Sequence, residues 1–276
     1  MTGPVVVGFD GSPESVAATE WAAREAQRRN SPLAVLHAWP SPRRDTADYH
    51  RSAEQLAARE AALRADVDVP VTSAHTPAAP AEALEAAGRD AALLVLGSRG
   101  LGAVRGFLVG SVSQEVLRRA DCPVVLVRAG GDEPDGPVLV GLDLAHPGDD
   151  VLAFAFDAAA RRSAPLRIVH VWSPPVGSEY LALEAIGGLA DGPSAAERAR
   201  FTELVEPWRA RRPEVDVTAD LVRGSATVAL VDAAAGARLL VVGRRVRRHP
   251  LGTHLGPVAH AAIHHVHCPV ALVRHA

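Results

Sequence analysis

The sequence predicts an α/β protein made of two copies of a parallel β-sheet with helices on both faces. Three observations lead to this fold class. Short apolar runs typical of buried strands alternate with segments that have helical spacing. The chain also repeats itself, because residues 4–10 align with residues 137–143 at an offset of 133, and residues 122–124 align with 268–270 at an offset of 146. In the first copy, a strand leads through a glycine-rich loop into a helix, the arrangement of a ligand-binding crossover.

The length and the repeat together predict two domains. A chain of 276 residues is long enough for two domains of roughly 150 residues, each with its own core. We expect domains at residues 1–129 and 137–276, joined by the polar, turn-rich linker 130–136. The offset grows by 13 residues (146 − 133), which we place in the Pro/Gly-rich segment 173–193 of the second copy.

The elements of the first copy follow from its apolar pattern, taken in order. Residues 91–96 form an apolar run typical of a buried strand, residues 112–120 have helical spacing, and residues 50–65 are alanine-rich and amphipathic, as in a packing helix. We predict strands at residues 4–9, 33–39, 69–74, 91–96 and 123–128, and helices at 13–29, 51–65, 80–88 and 111–119. The second copy repeats this order, with a longer second helix at 194–211.

The composition excludes several classes of function. All 29 basic residues are arginine, so a Walker A loop, a protein kinase and a Schiff-base enzyme would each lack their central lysine. A net charge of −3 argues against general nucleic-acid binding. With 48% hydrophobic but only 4% aromatic residues, the cores must consist of Val, Leu and Ala. Cys122 and Cys268 occupy matching positions before Pro-Val and are expected to be small buried residues.

The hydropathy pattern predicts a cytoplasmic protein. No apolar run approaches the ~18 residues of a membrane span, and the first residues lead directly into a strand without a signal-peptide pattern.

The glycine-rich loop between residues 97 and 111 is the candidate ligand site. Its five glycines let the backbone bring N–H groups close to a ligand, and Gly110-Ser111 lies where a helix N-terminus offers unpaired donors. Such a loop can hold phosphate without lysine. The alternative is a surface loop whose glycines serve only its turns.

The spacing of this loop resembles a known family. Gly97, Gly100 and Gly110-Ser111 match G-x2-G-x9-G-[S/T], and the run resembles the ATP-binding loop of universal stress proteins. The first strand with residues 10–12 and the Cys-Pro-Val strand at 122–127 accompany it, so the resemblance extends over nearly the whole chain, as in tandem members. It implies two Rossmann-like domains of the adenine nucleotide alpha hydrolase type. Each would have a five-stranded parallel sheet of order 3-2-1-4-5, with a ligand at the switch between strands one and four.

The resemblance also implies an ATP site, with Mg²⁺ as an optional companion ion. Asp10 would face the nucleoside, although it could equally form a helix N-cap or an Asx turn. The backbone at Ala38 would lie against adenine, and loop N–H groups with the Ser113 hydroxyl would hold the phosphates. The expected binding residues are Gly8, Asp10, Ala38, Gly97, Ser98, Arg99, Gly100, Leu101, Gly102, Ala103, Gly110, Ser111, Val112 and Ser113.

The second copy departs from the motif at two positions. Val246 replaces Gly100, and a β-branched residue disfavours positive φ. Pro257 replaces Ser111, which removes a backbone N–H and a hydroxyl while suiting the first turn of a helix. Two lost contacts cost ~2–6 kcal/mol, so we expect ATP mainly in the first domain.

Two groups of residues in the second copy leave alternatives open. Arg244, Arg245, Arg247 and Arg248 could recruit an anion through side chains, form a small basic patch, or belong to a solvated loop. His260 and His264 lie four apart on a predicted helix, so they could share a metal, although an exposed polar face is the simpler interpretation. His37 and His170 occupy matched strand positions and are expected in the core or the cleft wall.

The function that this resemblance implies is an ATP-binding regulatory module of the stress response. No catalytic base lies beside a nucleophile in the pattern, so turnover should be absent or slow. One alternative is a slow ATPase or autophosphorylating protein, and another is a scaffold in which nucleotide is only structural. The apolar last strands should be paired, either with each other within the chain or in a homodimer of tandem chains. No membrane is expected as a partner.

Overall fold

The computed structural model describes residues 3–41, 43–98, 110–130, 134–173, 192–245 and 255–275. Strands and helices alternate in both halves, as predicted. The first half contains β1 (Val5–Gly8), α1 (Pro13–Arg29), β2 (Leu33–Ala38), α2 (Ala47–Asp66), β3 (Val71–Thr76), α3 (Pro80–Gly88), β4 (Leu93–Ser98), α4 (Ser111–Arg119) and β5 (Val124–Arg128). The second half contains β6 (Val138–Gly141), α5 (Asp149–Arg161), β7 (Leu166–Trp172), α6 (Ala195–Arg211), β8 (Val217–Arg223), α7 (Ala226–Ala233), β9 (Leu239–Arg245), α8 (Pro257–His265) and β10 (Val270–His275).

All ten of these strands join one sheet, in the order β3-β2-β1-β4-β5-β10-β9-β6-β7-β8. Each half is therefore a parallel sheet of order 3-2-1-4-5, as the resemblance implied. The halves meet where β5 and β10 pair antiparallel, with Val125 opposite Ala271. The two last strands thus cover each other's edges within one chain, which is the internal pairing that the sequence allowed.

Alternating strand residues feed two core layers, one on each face of the sheet. Val5 and Val7 join the layer covered by α1, α2, α5 and α6, whereas Val6 faces the layer covered by α3, α4, α7 and α8. A strand buried on both faces reads as a continuous apolar run, which is why β1 and β4 were recognisable from sequence. The helices on both faces confirm the α/β prediction.

Local capping explains where the helices begin. The Ser12 side chain accepts a hydrogen bond from the Ser15 N–H, and Pro13 takes the first helical position of α1. Helix α2 begins at Ala47 instead of the predicted residue 51, because the Thr46 hydroxyl caps it by accepting from the Tyr49 N–H at 3.2 Å. The sequence prediction missed this first turn, since its residues are mostly exposed and carry no apolar period.

Candidate functional site

The predicted site residues that the structure describes gather at one edge of the first sheet. Strands β1, β2 and β4 run parallel and are adjacent around β1, so their carboxyl ends lie at the same edge. Gly8 ends β1, with Asp10 just beyond it, Ala38 ends β2, and Gly97 and Ser98 end β4. Helix α4 begins with Gly110 as its cap, followed by Ser111, Val112 and Ser113. Arg99, Gly100, Leu101, Gly102 and Ala103 lie outside the described residues.

Asp10 is held in an Asx turn. Its Oδ1 accepts hydrogen bonds from the Ser12 N–H at 3.0 Å and from the Ser12 hydroxyl at 2.6 Å. Partial burial raises the pKa of the Asp10 carboxyl, but these hydrogen bonds outweigh it and hold the pKa below its usual value. The cap of α1 is Ser12, so of the two structural roles considered for Asp10 the turn is the one observed. The carboxylate is exposed and ionised, and it keeps acceptor capacity for a ligand hydroxyl.

The two described glycines of the loop serve different purposes, and neither has positive φ. A Cβ at Gly97 would lie 2.6 Å from the carbonyl carbon of Glu14, so glycine is required there because β4 packs against the first turn of α1. At Gly110, a Cβ would meet no atom of the described residues within 4 Å. No described residue therefore blocks the approach of a ligand phosphate to the backbone at Gly110, in front of α4.

Within the described part of the chain, no side chain caps the start of α4. Gly110 offers no capping side chain, and the first helical hydrogen bond runs from the Gln114 N–H to the Gly110 carbonyl. The first-turn N–H groups therefore point out of the helix toward the space before Gly110. The Ser98 hydroxyl donates to the Val127 carbonyl at 3.3 Å in a buried setting. A ligand contact from Ser98 would come from its backbone.

An aromatic column flanks Asp10 at the ends of β2 and β3, and sequence reasoning identified only one of its members. His37 stacks on His75 with ring centroids 4.6 Å apart, and Trp39 and Tyr49 contact the same His75 ring. His37 is buried, as expected of a core or cleft-wall residue. His75 carried no sequence signal, because its partner His37 is 38 residues away and becomes a neighbour only through the β2–β3 register.

The second half has a cavity of about 510 Å³ at the equivalent edge. It lies at the ends of β6, β7 and β9 and the start of α8, and its size is that of small-molecule sites. His170 lines it, which matches the expected cleft-wall position. The polar side chains around it are Asp143, His146, His170, Arg245 and His275.

The second site keeps the turn of the first but changes the chemistry around it. The Asp143 Oδ1 accepts from the Ala145 N–H at 2.9 Å, just as Asp10 accepts from Ser12. Helix α5, however, begins at Asp149, whereas the offset of 133 would place its start at His146. The missing turn leaves His146 to contact the Asp143 carboxylate at 3.2 Å.

Pro257 occupies the first position of α8 with Gly256 as the cap, as the sequence predicted from its proline. Residue 257 therefore still begins a helix, but it offers no backbone N–H to a phosphate. In addition, the His275 ring covers Gly243, which is the counterpart of Gly97. A Cβ at Gly243 would lie 2.7 Å from the His275 Nε2. In the first domain the backbone of Glu14 fills this place. The two sites thus differ in side chains as well as in their loops.

Two expectations about the second copy were wrong. Arg244 does not belong to a solvated loop or a basic patch, because it is the penultimate residue of β9, has only 1% exposure and donates to the Leu117 and Ala120 carbonyls of the first domain, both at 2.6 Å. Similarly, His264 is 6% exposed and does not lie on an exposed polar face. Arg247 and Arg248 lie outside the described residues.

The His260 and His264 rings are 4.4 Å apart. Across the described ranges, no group of three or more His, Cys, Asp or Glu side chains is arranged to hold a metal ion. The pair therefore has no third ligand of these types within those ranges. Burial and the neighbouring charges of His260, His265 and Arg128 lower the pKa of His264, which favours a neutral ring there.

Comparison with known proteins decides the family. The sequence model of the Universal stress protein family matches residues 1–128 and again residues 136–274. The chain belongs to the universal stress protein family. It is 35% identical to a universal stress protein of Mycobacterium tuberculosis, over 98% of this chain and 96% of that protein.

A solved universal stress protein structure shares the fold over nearly the whole chain. A universal stress protein from Archaeoglobus fulgidus is similar over 98% of both chains, with a TM-score of 0.71 and 17% identity. Another from the same organism, solved in complex with dAMP, covers 45% of this chain and 96% of its own length, with a TM-score of 0.37 and 24% identity. Within the described ranges, no helix has the length and apolar composition that a membrane crossing needs.

Proposed function

We propose that this tandem universal stress protein is an ATP-binding regulatory module whose nucleotide lies mainly in the first domain. The observation that carries the proposal is the start of α4 at Gly110, which no described residue covers within 4 Å, at the same sheet edge as Asp10 and the ends of β1, β2 and β4. Backbone donors for phosphate and a carboxylate for the ribose hydroxyls lie there at one edge of the sheet. The loop residues Arg99 to Ala103 are proposed to complete the phosphate contacts, with Mg²⁺ as an optional companion.

Regulation rather than turnover fits the described side chains of this site. Asp10 is the carboxylate of the site, and its pKa is held below the usual value, so it is a weak base at neutral pH. His37 is buried against His75, so it forms part of the wall of the site. The proposed output is a conformational difference between ATP-bound and ATP-free protein that a partner senses.

A matched pair of glycine variants tests the site. Gly110 and Gly256 cap α4 and α8 at equivalent positions, and at either residue a Cβ meets no described atom within 4 Å. Gly110→Ala should therefore fold normally but weaken ATP binding by about 10-fold or more, because its methyl group occupies the phosphate approach. Gly256→Ala should leave ATP affinity unchanged in calorimetric titration. Equal effects of the two variants, or no effect of Gly110→Ala, would contradict the proposal.

The enzyme alternative has a separate readout. ADP release at about one per minute or faster, still far below a typical turnover of ~10 per second, would favour a slow ATPase. ATP that raises thermal stability without changing any partner contact would favour the structural scaffold. Each alternative keeps the same site and changes only what its occupancy does.

A further inference from the structure

We propose that Arg244 of the second domain is a positioning residue for the phosphate-binding helix of the first domain. It would hold α4 from its C-terminal end and so raise the affinity of the first site for the triphosphate part of ATP. This inference rests on the ATP site proposed above. It gives the second domain a role in nucleotide binding even though its own loop has lost the motif.

The contact is a buried clamp on the end of α4. The Arg244 Nη1 donates to the Leu117 carbonyl and its Nη2 to the Ala120 carbonyl, both at 2.6 Å, and Nη2 also lies 3.5 Å from the Cys122 carbonyl. The last helical hydrogen bond of α4 runs from the Ala120 N–H to the Val116 carbonyl. The Leu117 and Ala120 carbonyls lie beyond it, so no N–H of the helix donates to them. The guanidinium thus satisfies backbone groups that α4 cannot satisfy itself.

This arrangement is costly, and the cost argues for a specific purpose. Arg244 is among the largest fully buried side chains of the protein. Within the described residues its hydrogen-bond partners are neutral carbonyls and no carboxylate forms an ion pair with it. Burial lowers the pKa of Arg244 to about 10, so the side chain still carries its charge at neutral pH. The negative end of the α4 dipole compensates part of this buried charge.

The far end of α4 is the phosphate end. The helix has nine residues, so Leu117 and Ser111 are about two turns apart. A helix this short is marginal without tertiary support. Fixing its last carbonyls therefore also fixes the direction of the first-turn N–H groups that face the space before Gly110. A helix free to tilt would present these donors less accurately to phosphate.

The second domain offers a matched comparison, because Ile263 is the counterpart of Leu117 at the offset of 146. The Ile263 carbonyl accepts a hydrogen bond from the Arg128 Nη2 at 3.0 Å. Arg128 is likewise buried, and it braces α8, the helix that begins with Pro257. Each domain thus braces the other's loop-following helix with one buried arginine, but only α4 begins with the intact motif.

Position in the chain also links Arg244 to the second cavity. Its neighbours Gly243 and Arg245 both line that cavity. The clamp on α4 is therefore built on the strand end at which the second, altered loop begins. Arg244 therefore connects the edge of the second cavity to the helix that begins at the first site.

The test compares ATP with adenosine in Arg244→Met and Arg128→Met, using calorimetry on the full chain. Methionine replaces each buried charge with an apolar chain of similar length. Arg244→Met should lower ATP affinity about 5- to 30-fold while leaving adenosine affinity unchanged. Arg128→Met should change neither. Arg244→Lys, which keeps one charged donor, should recover part of the ATP affinity and serves if the methionine variant does not fold.

The outcomes separate this inference from the proposed function. If wild-type protein binds ATP but Arg244→Met and Arg244→Lys keep the wild-type ratio of ATP to adenosine affinity, the inference is wrong and the proposed function stands. A loss of ATP and adenosine affinity in equal measure, or the same loss in Arg128→Met, would also overturn it. If wild-type protein binds neither compound, both the proposed function and this inference fail.

Discussion

Glu25 of α1 and Arg162, just after α5, form a buried ion pair across the two domains, with Glu25 Oε2 and Arg162 Nη2 2.6 Å apart. Both side chains are at most 1% exposed. The same carboxylate binds Arg29 at 2.6 Å through its other oxygen. Arg29 and Arg162 are counterparts at the offset of 133, and each lies over an aromatic ring of the opposite domain, Phe154 and Trp21 respectively. Glu25 thus binds two buried cations where the domains meet, and Asp157 adds a second carboxylate 3.5 Å from the Arg29 Nη1.

Removing this carboxylate should destabilise the whole chain. Glu25→Gln leaves the two guanidiniums without their shared charge, and breaking a buried pair in this way costs ~3–5 kcal/mol. The control is Glu206→Gln, which breaks the exposed pair with Arg209 and should cost at most ~1 kcal/mol. Urea unfolding at neutral pH measures both. Equal losses in the two variants would show that the domain interface does not depend on Glu25.

Gly97→Ala should damage the fold as well as the site. Its Cβ would lie 2.7 Å from the Glu14 carbonyl oxygen and 2.9 Å from the Ser15 nitrogen, so the start of α1 has to move. We expect a loss of ~1–3 kcal/mol in the free energy of unfolding, whereas Gly110→Ala should lose less than ~1 kcal/mol. Thermal unfolding of both variants without nucleotide is the measurement. A Gly97→Ala protein as stable as wild type would mean that β4 and α1 are less closely packed than described.

Restoring the motif should create a second ATP site. Pro257→Ala returns a backbone N–H, Pro257→Ser adds the hydroxyl, and Val246→Gly, outside the described residues, removes a β-branched side chain that disfavours positive φ. Each regained contact should strengthen ATP binding in the second domain by ~1–3 kcal/mol. The cavity of about 510 Å³ has the volume for a ligand, so we expect chemistry rather than space to limit ATP binding there.

Calorimetry measures the number of ATP molecules bound per chain in these variants. The combined Val246→Gly and Pro257→Ser variant should approach two ATP per chain, and each single variant should fall between it and wild type. A stoichiometry that stays at the wild-type value in the combined variant would show that other groups, such as His146 and His275, exclude ATP.

Acid should weaken the first domain through His37. Burial lowers the pKa of His37 and the charge of neighbouring His75 lowers it further, while Asp10 acts in the opposite direction. The folded-state pKa is below the unfolded value near 6.5, so His37 imposes no penalty above that pH. As the pH falls below 6.5, the unfolded state takes up the proton first and stability decreases.

The variant His37→Phe keeps an aromatic ring against His75 and removes the titration. Between pH 7 and pH 5 it should lose less stability than wild type, because it lacks the group that the unfolded state protonates first. His50→Gln replaces an exposed histidine on α2 and should follow the wild-type curve. If the three proteins show the same pH dependence of the unfolding midpoint, the histidine stack is not the acid-sensitive element.

Helix starts show how far the sequence alone could reach. The predicted bounds of α1, α3 and α4 are confirmed, because Pro13, Pro80 and the Gly110-Ser111 step mark their first turns visibly. These signals are local, because each depends on only a few neighbouring residues. The strand order came instead from the family resemblance, since periodicity does not tell which strands are neighbours.

Contacts between distant residues are what the sequence could not show. Arg244 follows Gly243 in an arginine-rich run that looks solvated, and its burial depends on carbonyls 124 and 127 residues away in the other domain. His75 joins the site wall through strand register, and His146 and His275 enter the second cavity because α5 starts late and β10 ends beside Gly243. Each of these positions is determined by tertiary packing, which leaves no local pattern.

The deciding measurement is the nucleotide content of the purified protein, released by denaturation and separated by chromatography. A slowly dissociating ligand survives purification, so we expect about one ATP per chain. Its amount should fall in Gly110→Ala and remain in Gly256→Ala. Protein that carries no nucleotide and binds no added ATP would contradict the account, and two equivalent ATP per chain would contradict its assignment of the ligand to the first domain.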